Sequence, residues 1–254
     1  MYFIKTVIIF VLSLVMLYPT GPSEFKKNQL TYSRVREAYR QKTPFLQEKL
    51  GVKSLEESTF SLFLMAFKEE KILEVWISDQ GNSKTYRKFI SYPFCTTSGV
   101  PGPKRKEGDL QIPEGVYHID RFNPYSNFHL SLGINYPNQS DKILGDKSRP
   151  GGDIFIHGDC VTIGCIPITD DKIKELYVMA VEAKDHGQEK IPVHIFPSRP
   201  DQDLYEEMIN RQQDIPVKEL WTSLKKIHEN FRETKKIPDV MIDGKGKYYL
   251  KGQE

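Results

Sequence analysis

The sequence predicts an α+β protein that is mainly β through its middle, with one inserted helix and helical extensions at both ends. Three observations carry this. Between residues 60 and 194, short apolar and aromatic runs alternate with Gly, Pro, Asn and Asp. One stretch after Thr169 switches to a period of 3.6, and both flanks show helical spacing with charged opposite faces. The chain has 254 residues, 39% hydrophobic and 11% aromatic, which excludes a disordered or collagen-like chain. Its 36 Lys+Arg nearly balance 34 Asp+Glu, so no global field points to a nucleic-acid partner, and an anionic substrate must be held locally.

Residues 1–22 carry Lys5 and then the apolar run 7–18, the length of a signal-peptide core and shorter than a membrane span. No small-x-small cleavage step follows, so this segment is expected to be either a signal peptide or an uncleaved N-terminal anchor. It implies export to the periplasm or cell envelope, with membrane contact only through this segment. Residues 23–58 read as a helical lead-in, with Val35, Ala38 and Tyr39 on one stripe and a break expected at Pro44. Strands are expected at 72–77, 86–94, 115–119, 128–134, 153–157 and 191–196. The helix after Thr169 places Ile173, Leu176, Tyr177, Ala180 and Val181 on one face, with Asp170 and Asp171 in its first turn. Residues 198–254 form a charged helical extension in which Val217, Leu220, Leu224, Ile227 and Phe231 share a face; 244–254 offer little to bury.

The chemistry concentrates in GGDIFIHGDCVTIGCIPI, residues 151–168, where a β-rich run ends at His157 and two cysteines precede the helix. A cysteine attacks as thiolate, and a nearby imidazole takes its proton. Gly158 and Gly164 let the chain turn back and bring His157 to Cys165. The helix N-terminus and the N–H groups of Gly164 and Cys165 would favour a thiolate and an oxyanion. Two other readings stay open: Cys165 as a small core residue, or a metal string of His157, Cys160 and Cys165 with Cys95, His118 or His129. Three cysteines leave one unpaired. In an oxidising compartment Cys160 pairs with Cys95, freeing Cys165, or with Cys165, blocking it.

Several motifs in order resemble the L,D-transpeptidase (YkuD-type) catalytic domain family. They are GPKRKEGDLQIPEGVYHI (102–119), FHLSLGINYPNQSD (128–141), PGGDIFIHG (150–158) and the final His-Gly-x-Cys-x-Thr-x-Gly-Cys block. The short spacing in that block is similar to the murein L,D-transpeptidase YafK-like subgroup. Ile163 stands where the commoner pattern has a second histidine, and Pro167 where it has Arg or Asn.

The resemblance implies an antiparallel β-sandwich or partly open barrel over residues 59–197. Cys165 is then the nucleophile, His157 the general base, Gly164 the oxyanion-hole backbone, and Thr162 and Gly158 further motif positions. It implies a thioester with a peptidoglycan stem peptide, passed to an amine of a second stem peptide or of a wall-anchored lipoprotein, without metal or cofactor. The alternatives are an amidase or L,D-peptidase hydrolysing the same thioester, and a non-catalytic peptidoglycan-binding protein. Lys104, Arg105, Arg121 and Arg149 lie in or beside these motifs and are candidate partners for substrate carboxylates. Lys106 lies there too, and Arg149, beside Pro150 and eight positions before His157, is the leading candidate. Tyr117, His118, Phe122, Tyr125 and Tyr136 line a cleft or belong to the core.

Overall fold

The computed structural model describes residues 22–79 and 85–252; the expected signal or anchor segment, residues 1–22, lies almost wholly outside them. No helix of the described residues is long and apolar enough to cross a membrane.

Helix α1 (Glu24–Leu30) is capped by the Ser23 hydroxyl, which accepts the Lys26 N–H. Helix α2 (Ser33–Leu50) runs straight through Pro44. The expected break at Pro44 is therefore misplaced: it falls at Thr31 and Tyr32, where α1 ends. Buried Val35 and Ala38 before the proline and buried Leu46 after it hold both halves of α2 on one surface, which offsets the one lost N–H.

Eight strands form one mixed, curled sheet in the order β3-β2-β1-β8-β4-β5-β6-β7. They are β1 (Phe60–Phe67), β2 (Ile72–Asp79), β3 (Arg87–Pro93), β4 (Gly115–Asn123), β5 (Ser131–Ile134), β6 (Phe155–His157), β7 (Ile166–Pro167) and β8 (Pro192–Phe196). Two pairings, β1 with β8 and β6 with β7, are parallel, and the others are antiparallel. The sheet bends within β4. Its first half pairs with β8, and its second half pairs with β5 after a register shift between Ile119 and Arg121.

Strand β1 explains how the two faces are filled. Leu62, Leu64 and Ala66 join one core, while the alternate Phe63, Met65 and Phe67 join a second. The first core holds helix α4 (Thr169–Asp185), whose Ile173, Leu176, Tyr177, Ala180 and Val181 are buried as their spacing predicts. The second holds α6 (Ile215–Thr234) through Leu220, Trp221, Leu224, Ile227 and Phe231. A strand buried on both faces reads as a continuous apolar run, so β1 carries no alternation to mark it in the sequence.

Besides β1 and the short β7, three features were not individually expected. Helix α3 (Gln139–Leu144) starts in a capping box, in which Asn138 and Asp141 exchange side chain and backbone hydrogen bonds. Helix α5 (Asp203–Arg211) precedes α6. The C-terminus forms a hairpin, β9 (Val240–Ile242) and β10 (Tyr248–Leu250), rather than a stretch with little to bury. Tyr248 is 3% exposed and its hydroxyl meets Asn138 Nδ2 at 2.6 Å, while Ser140 donates to the Gly246 carbonyl at 2.6 Å. The hairpin thus docks on α3.

Candidate active site

Strands β6 and β7 bring the two expected reactive residues to one place. Parallel pairing sets Ile156 beside Ile166 and His157 beside Pro167, which puts Cys165 level with Phe155. Cys165 lies one residue before β7, with its sulfur against the Phe155 backbone on β6, two residues before His157. Cys165 is the free cysteine among the described residues and is partly exposed. Its Sγ accepts the Phe155 N–H at 3.4 Å and stands 3.7 Å from the Asp153 carbonyl.

The turn between them is set by local bonds. Thr162 Oγ1 accepts the N–H of Cys165 at 2.8 Å and of Gly164 at 3.2 Å, and donates to the Cys165 carbonyl at 2.9 Å. The two N–H groups considered as oxyanion donors thus point at the Thr162 hydroxyl. Gly164 has φ +136°, and a Cβ there would stand 2.9 Å from the Gln111 carbonyl oxygen. Gly158 has no room either, since a Cβ would meet the Phe128 carbonyl oxygen at 2.9 Å.

His157 is 1% exposed. Its Nδ1 contacts the Gly158 carbonyl, which can only accept, so Nδ1 carries the proton and Nε2 keeps a lone pair. The Phe128 ring lies against the imidazole with centroids 4.7 Å apart. Among the described residues no hydrogen bond joins the ring to Sγ. Burial pulls the His157 imidazole below its ordinary value, opposed by the Gly158 contact. Burial pushes the Cys165 thiol up; the Phe155 N–H opposes this, Asp153 adds to it and Lys104 opposes it. Both shifts favour a neutral thiol beside a neutral imidazole over a preformed ion pair.

A disulfide joins Cys95 to Cys160, the first of the two pairings considered, and takes Cys160 out of the metal string. The group of residues that could converge on a metal among those described lies elsewhere, at Glu182, Asp185 and His186. There the Lys26 ammonium already sits 2.8 Å from Glu182 and 3.5 Å from Asp185. The Cys95 N–H donates to the Pro167 carbonyl at 3.0 Å, so the segment leaving β3 meets β7, the strand at the far end of the sheet order.

The four candidate cations separate. Arg121 pairs with Asp153 at 2.8 Å and lies 4.8 Å over the Phe155 ring, beside the two residues that contact Sγ. Lys104 is 4% exposed and bound to Asp109 at 2.6 Å, so it is a structural cation whose charge reaches Cys165. Arg149 is bound to Glu107 at 2.9 Å, and Arg105 reaches Asp141 at 3.4 Å. Lys106 offers its backbone, the carbonyl to Lys104 and the N–H to Asp109.

Of the aromatic candidates, Tyr117 and Tyr136 are core residues and Phe122 packs on Phe25 and Tyr177. Tyr125 is exposed against Tyr32. Burial lowers the pKa of both His118 and His129. Sequence reasoning missed Phe128, Phe155 and Asp153. The signal was present for Phe155, which stands two residues before His157 and so shares its face.

One further cluster holds the site from behind. Lys68 Nζ donates to the carbonyls of Val100, Gly102 and Ile112 and to Glu114 Oε1 at 2.9 Å. Glu114 Oε2 accepts Trp221 Nε1–H at 2.7 Å. The segment carrying Gln111, which packs on Gly164, is thereby tied both to the sheet and to α6.

A curled mixed sheet packed by helices on both faces, with a buried imidazole at the end of β6 and a free thiol just before β7, makes this an α+β domain. The chain belongs to the YkuD family: residues 63–195 match its model, described as the L,D-transpeptidase catalytic domain. Among curated proteins, the Escherichia coli K12 protein named "Putative L,D-transpeptidase YafK" is 32% identical over 183 residues, covering 71% of this chain and 70% of that protein. Among solved structures, the helical cell shape determining protein Pgp2 from Campylobacter jejuni is 19% identical, with 73% of each chain covered and a TM-score of 0.43. Its K307A mutant aligns at 25% identity with a TM-score of 0.42, over 55% of this chain and 48% of that one, so the match spans about half of that solved chain. Family membership gives this protein a cell-wall transpeptidase-type function acting on peptidoglycan.

Proposed function

We propose that this protein is an exported cell-wall enzyme in which Cys165 forms a thioester with a peptidoglycan stem peptide and His157 moves the protons. The observation that supports the reading is a free thiol held against the Phe155 backbone, two residues before a buried imidazole whose Nε2 keeps a lone pair. Sγ attacks the carbonyl at the L-centre of the diamino acid, and its proton passes to Nε2, directly or through one water. The tetrahedral adduct collapses as the departing amine of the D-residue takes that proton, leaving the thioester. An acceptor amine then attacks, gives its proton to Nε2 and releases the thiol. Because thiol and imidazole rest neutral, the thiolate forms only as attack begins.

A tetrahedral oxyanion competes with the Thr162 hydroxyl for the N–H groups of Gly164 and Cys165. The Arg121 guanidinium is the cation best set to meet a stem-peptide carboxylate, at the cost of its bond to Asp153. No metal or cofactor takes part. The acceptor is a second stem peptide or the lysine of a wall-anchored lipoprotein, and residues 1–22 direct export.

The test is incubation of the purified protein with muropeptide tetrapeptides followed by mass analysis of the products. Cross-linked dimers are expected, and Cys165→Ala abolishes them. Shortened monomers in place of dimers would make the same thioester chemistry hydrolytic. Intact substrate with the unaltered protein, or full activity in Cys165→Ala, refutes the proposal.

A further inference from the structure

The proposed reaction makes no use of the C-terminal extension, yet between α6 and the β9–β10 hairpin lies an open cleft of about 740 Å³. Its size lies within the range of ligand-binding clefts and far exceeds what a single small anion fills. Both walls are anchored to the rest of the molecule. On one side α6 is held by the Trp221–Glu114 bond, and on the other the hairpin is held on α3 by Tyr248 and by the Gly246 carbonyl. The cleft is therefore formed before any ligand arrives.

Its lining has a definite chemistry. The floor is apolar, from Ile227 and Leu250, with the partly exposed Tyr249 ring beside them. One cation stands on each wall, Lys226 on α6 and Lys247 in the hairpin turn. Both are exposed and neither ammonium makes a hydrogen bond or ion pair among the described residues, although the Asp243 carboxylate in the same turn attracts the Lys247 ammonium. The carboxylate that also lines the cleft, Asp243, is spent on its own turn, accepting the N–H groups of Lys245 at 2.8 Å and Lys247 at 2.9 Å.

Ser223 supplies an independent observation. It is 6% exposed and lines the cleft, yet its hydroxyl has no hydrogen-bond partner among the described residues. Thr222 and Thr234 on the same helix instead donate to the carbonyls four residues back, at 2.8 Å each. A hydroxyl without a protein partner that opens onto a preformed cleft can take a polar group brought by a ligand.

We infer that this cleft is a second binding site, apart from Cys165, for a carboxylate-bearing fragment of peptidoglycan. The choice of ligand rests on the cell-wall function proposed above. A sugar ring presents apolar C–H faces to Tyr249 and the aliphatic floor and a hydroxyl to Ser223, and the carboxylates of an attached peptide meet Lys226 and Lys247. The site holds a strand of the wall while another part of it reacts, which raises the local concentration of substrate at the thiol.

The test is titration calorimetry with a soluble disaccharide tetrapeptide and the full chain carrying Cys165→Ala, so that nothing is turned over. Lys226→Gln combined with Lys247→Gln is expected to weaken binding about tenfold, with binding to the unaltered cleft falling as salt is raised. Amide shifts of Lys247 and Tyr249 should accompany binding. Unchanged affinity in the double lysine variant overturns the inference. So does equal binding of inorganic phosphate alone or of an uncharged N-acetylglucosamine oligomer. The two proposals fail separately. Loss of binding in the lysine variant with no product from the unaltered protein refutes the reaction and keeps the cleft. Normal product with lysine-independent binding refutes the cleft and keeps the reaction.

Discussion

Removing the Cys95–Cys160 bond by replacing both residues with serine frees a loop spanning 65 positions of sequence. By the chain-entropy relation, closing a loop of that size restricts the unfolded chain by about 4 kcal/mol, which is the stability expected to be lost. For a chain of this length the midpoint of thermal unfolding should fall by about 10 °C. The effect on the site is more specific than the effect on stability. The bond joins the segment leaving β3 to the loop between His157 and Cys165, beside the Cys95 N–H to Pro167 carbonyl contact between the segment leaving β3 and β7. Without it, the loop is held mainly by the Asp159 N–H to Asp170 bond at 2.8 Å and by the Thr162 bonds. The single variant Cys95→Ser should fare worse than the double one under oxidising conditions, because it leaves Cys160 free to pair with Cys165. Circular dichroism melts with and without reductant, thiol counting by mass analysis, and turnover of both variants read these outcomes. A midpoint unchanged on reduction, or free thiols at Cys95 and Cys160 in oxidised wild-type protein, would refute the reasoning.

Three other outcomes follow from the same geometry. Glu114→Ala strands the Lys68 ammonium, 5% exposed at its side chain, and should cost about 3–5 kcal/mol in urea unfolding, whereas Glu114→Gln keeps the Trp221 bond and costs less. Gly164→Ala must relieve the 2.9 Å approach to the Gln111 carbonyl and leave φ +136°, so turnover should fall about a hundredfold while the melting midpoint moves little, read by kinetics beside calorimetry. The pH dependence follows from the shifted groups: a base must be neutral to accept a proton, and burial lowers the His157 pKa, so the acid limb of kcat/KM should lie below about pH 6.5. Alkylation of Cys165 by iodoacetamide should conversely rise with pH later than for an ordinary thiol, since burial raises it.

The parts of this molecule legible in its sequence were those fixed by local pattern. Helix α4 announced itself through Ile173, Leu176, Tyr177, Ala180 and Val181, and strands β2, β3 and β8 through short apolar runs between breakers. Strand β1 escaped because Phe63, Met65 and Phe67 face α6 while Leu62, Leu64 and Ala66 face the other core, so no polar face interrupts the run. The hairpin escaped for the opposite reason. Its burial depends on Tyr248 meeting Asn138, 110 positions away, and nothing in a short polar stretch encodes that distant surface. The same division runs through the site: the turn through Gly158 and Gly164 was readable from the glycines, whereas the Phe128 ring against the imidazole and the Asp153 partner of Arg121 depend on strand register.

That division bears on which cations serve the reaction. In sequence, Lys104, Arg105, Arg121 and Arg149 each lie in or beside the motifs, and Arg149, eight positions before His157, stands out as the leading candidate. Lys104 cannot leave Asp109 without exposing a buried carboxylate neighbourhood that also accepts the N–H groups of Arg105, Lys106 and Gln111. Arg149 is an exposed ion pair, worth little and placed by nothing beyond Glu107. Arg121 differs because its guanidinium is stacked on Phe155, whose N–H holds Sγ, and its partner Asp153 raises the thiol pKa. A stem-peptide carboxylate that drew Arg121 off Asp153 would leave that negative charge uncompensated beside the sulfur. Substrate binding through Arg121 therefore makes the thiol harder to ionise before attack and increases its dependence on His157. Arg121→Gln should raise KM, while the alkylation profile of the free protein moves toward higher pH. A profile that stays in place would show that the Asp153 charge does not reach the sulfur.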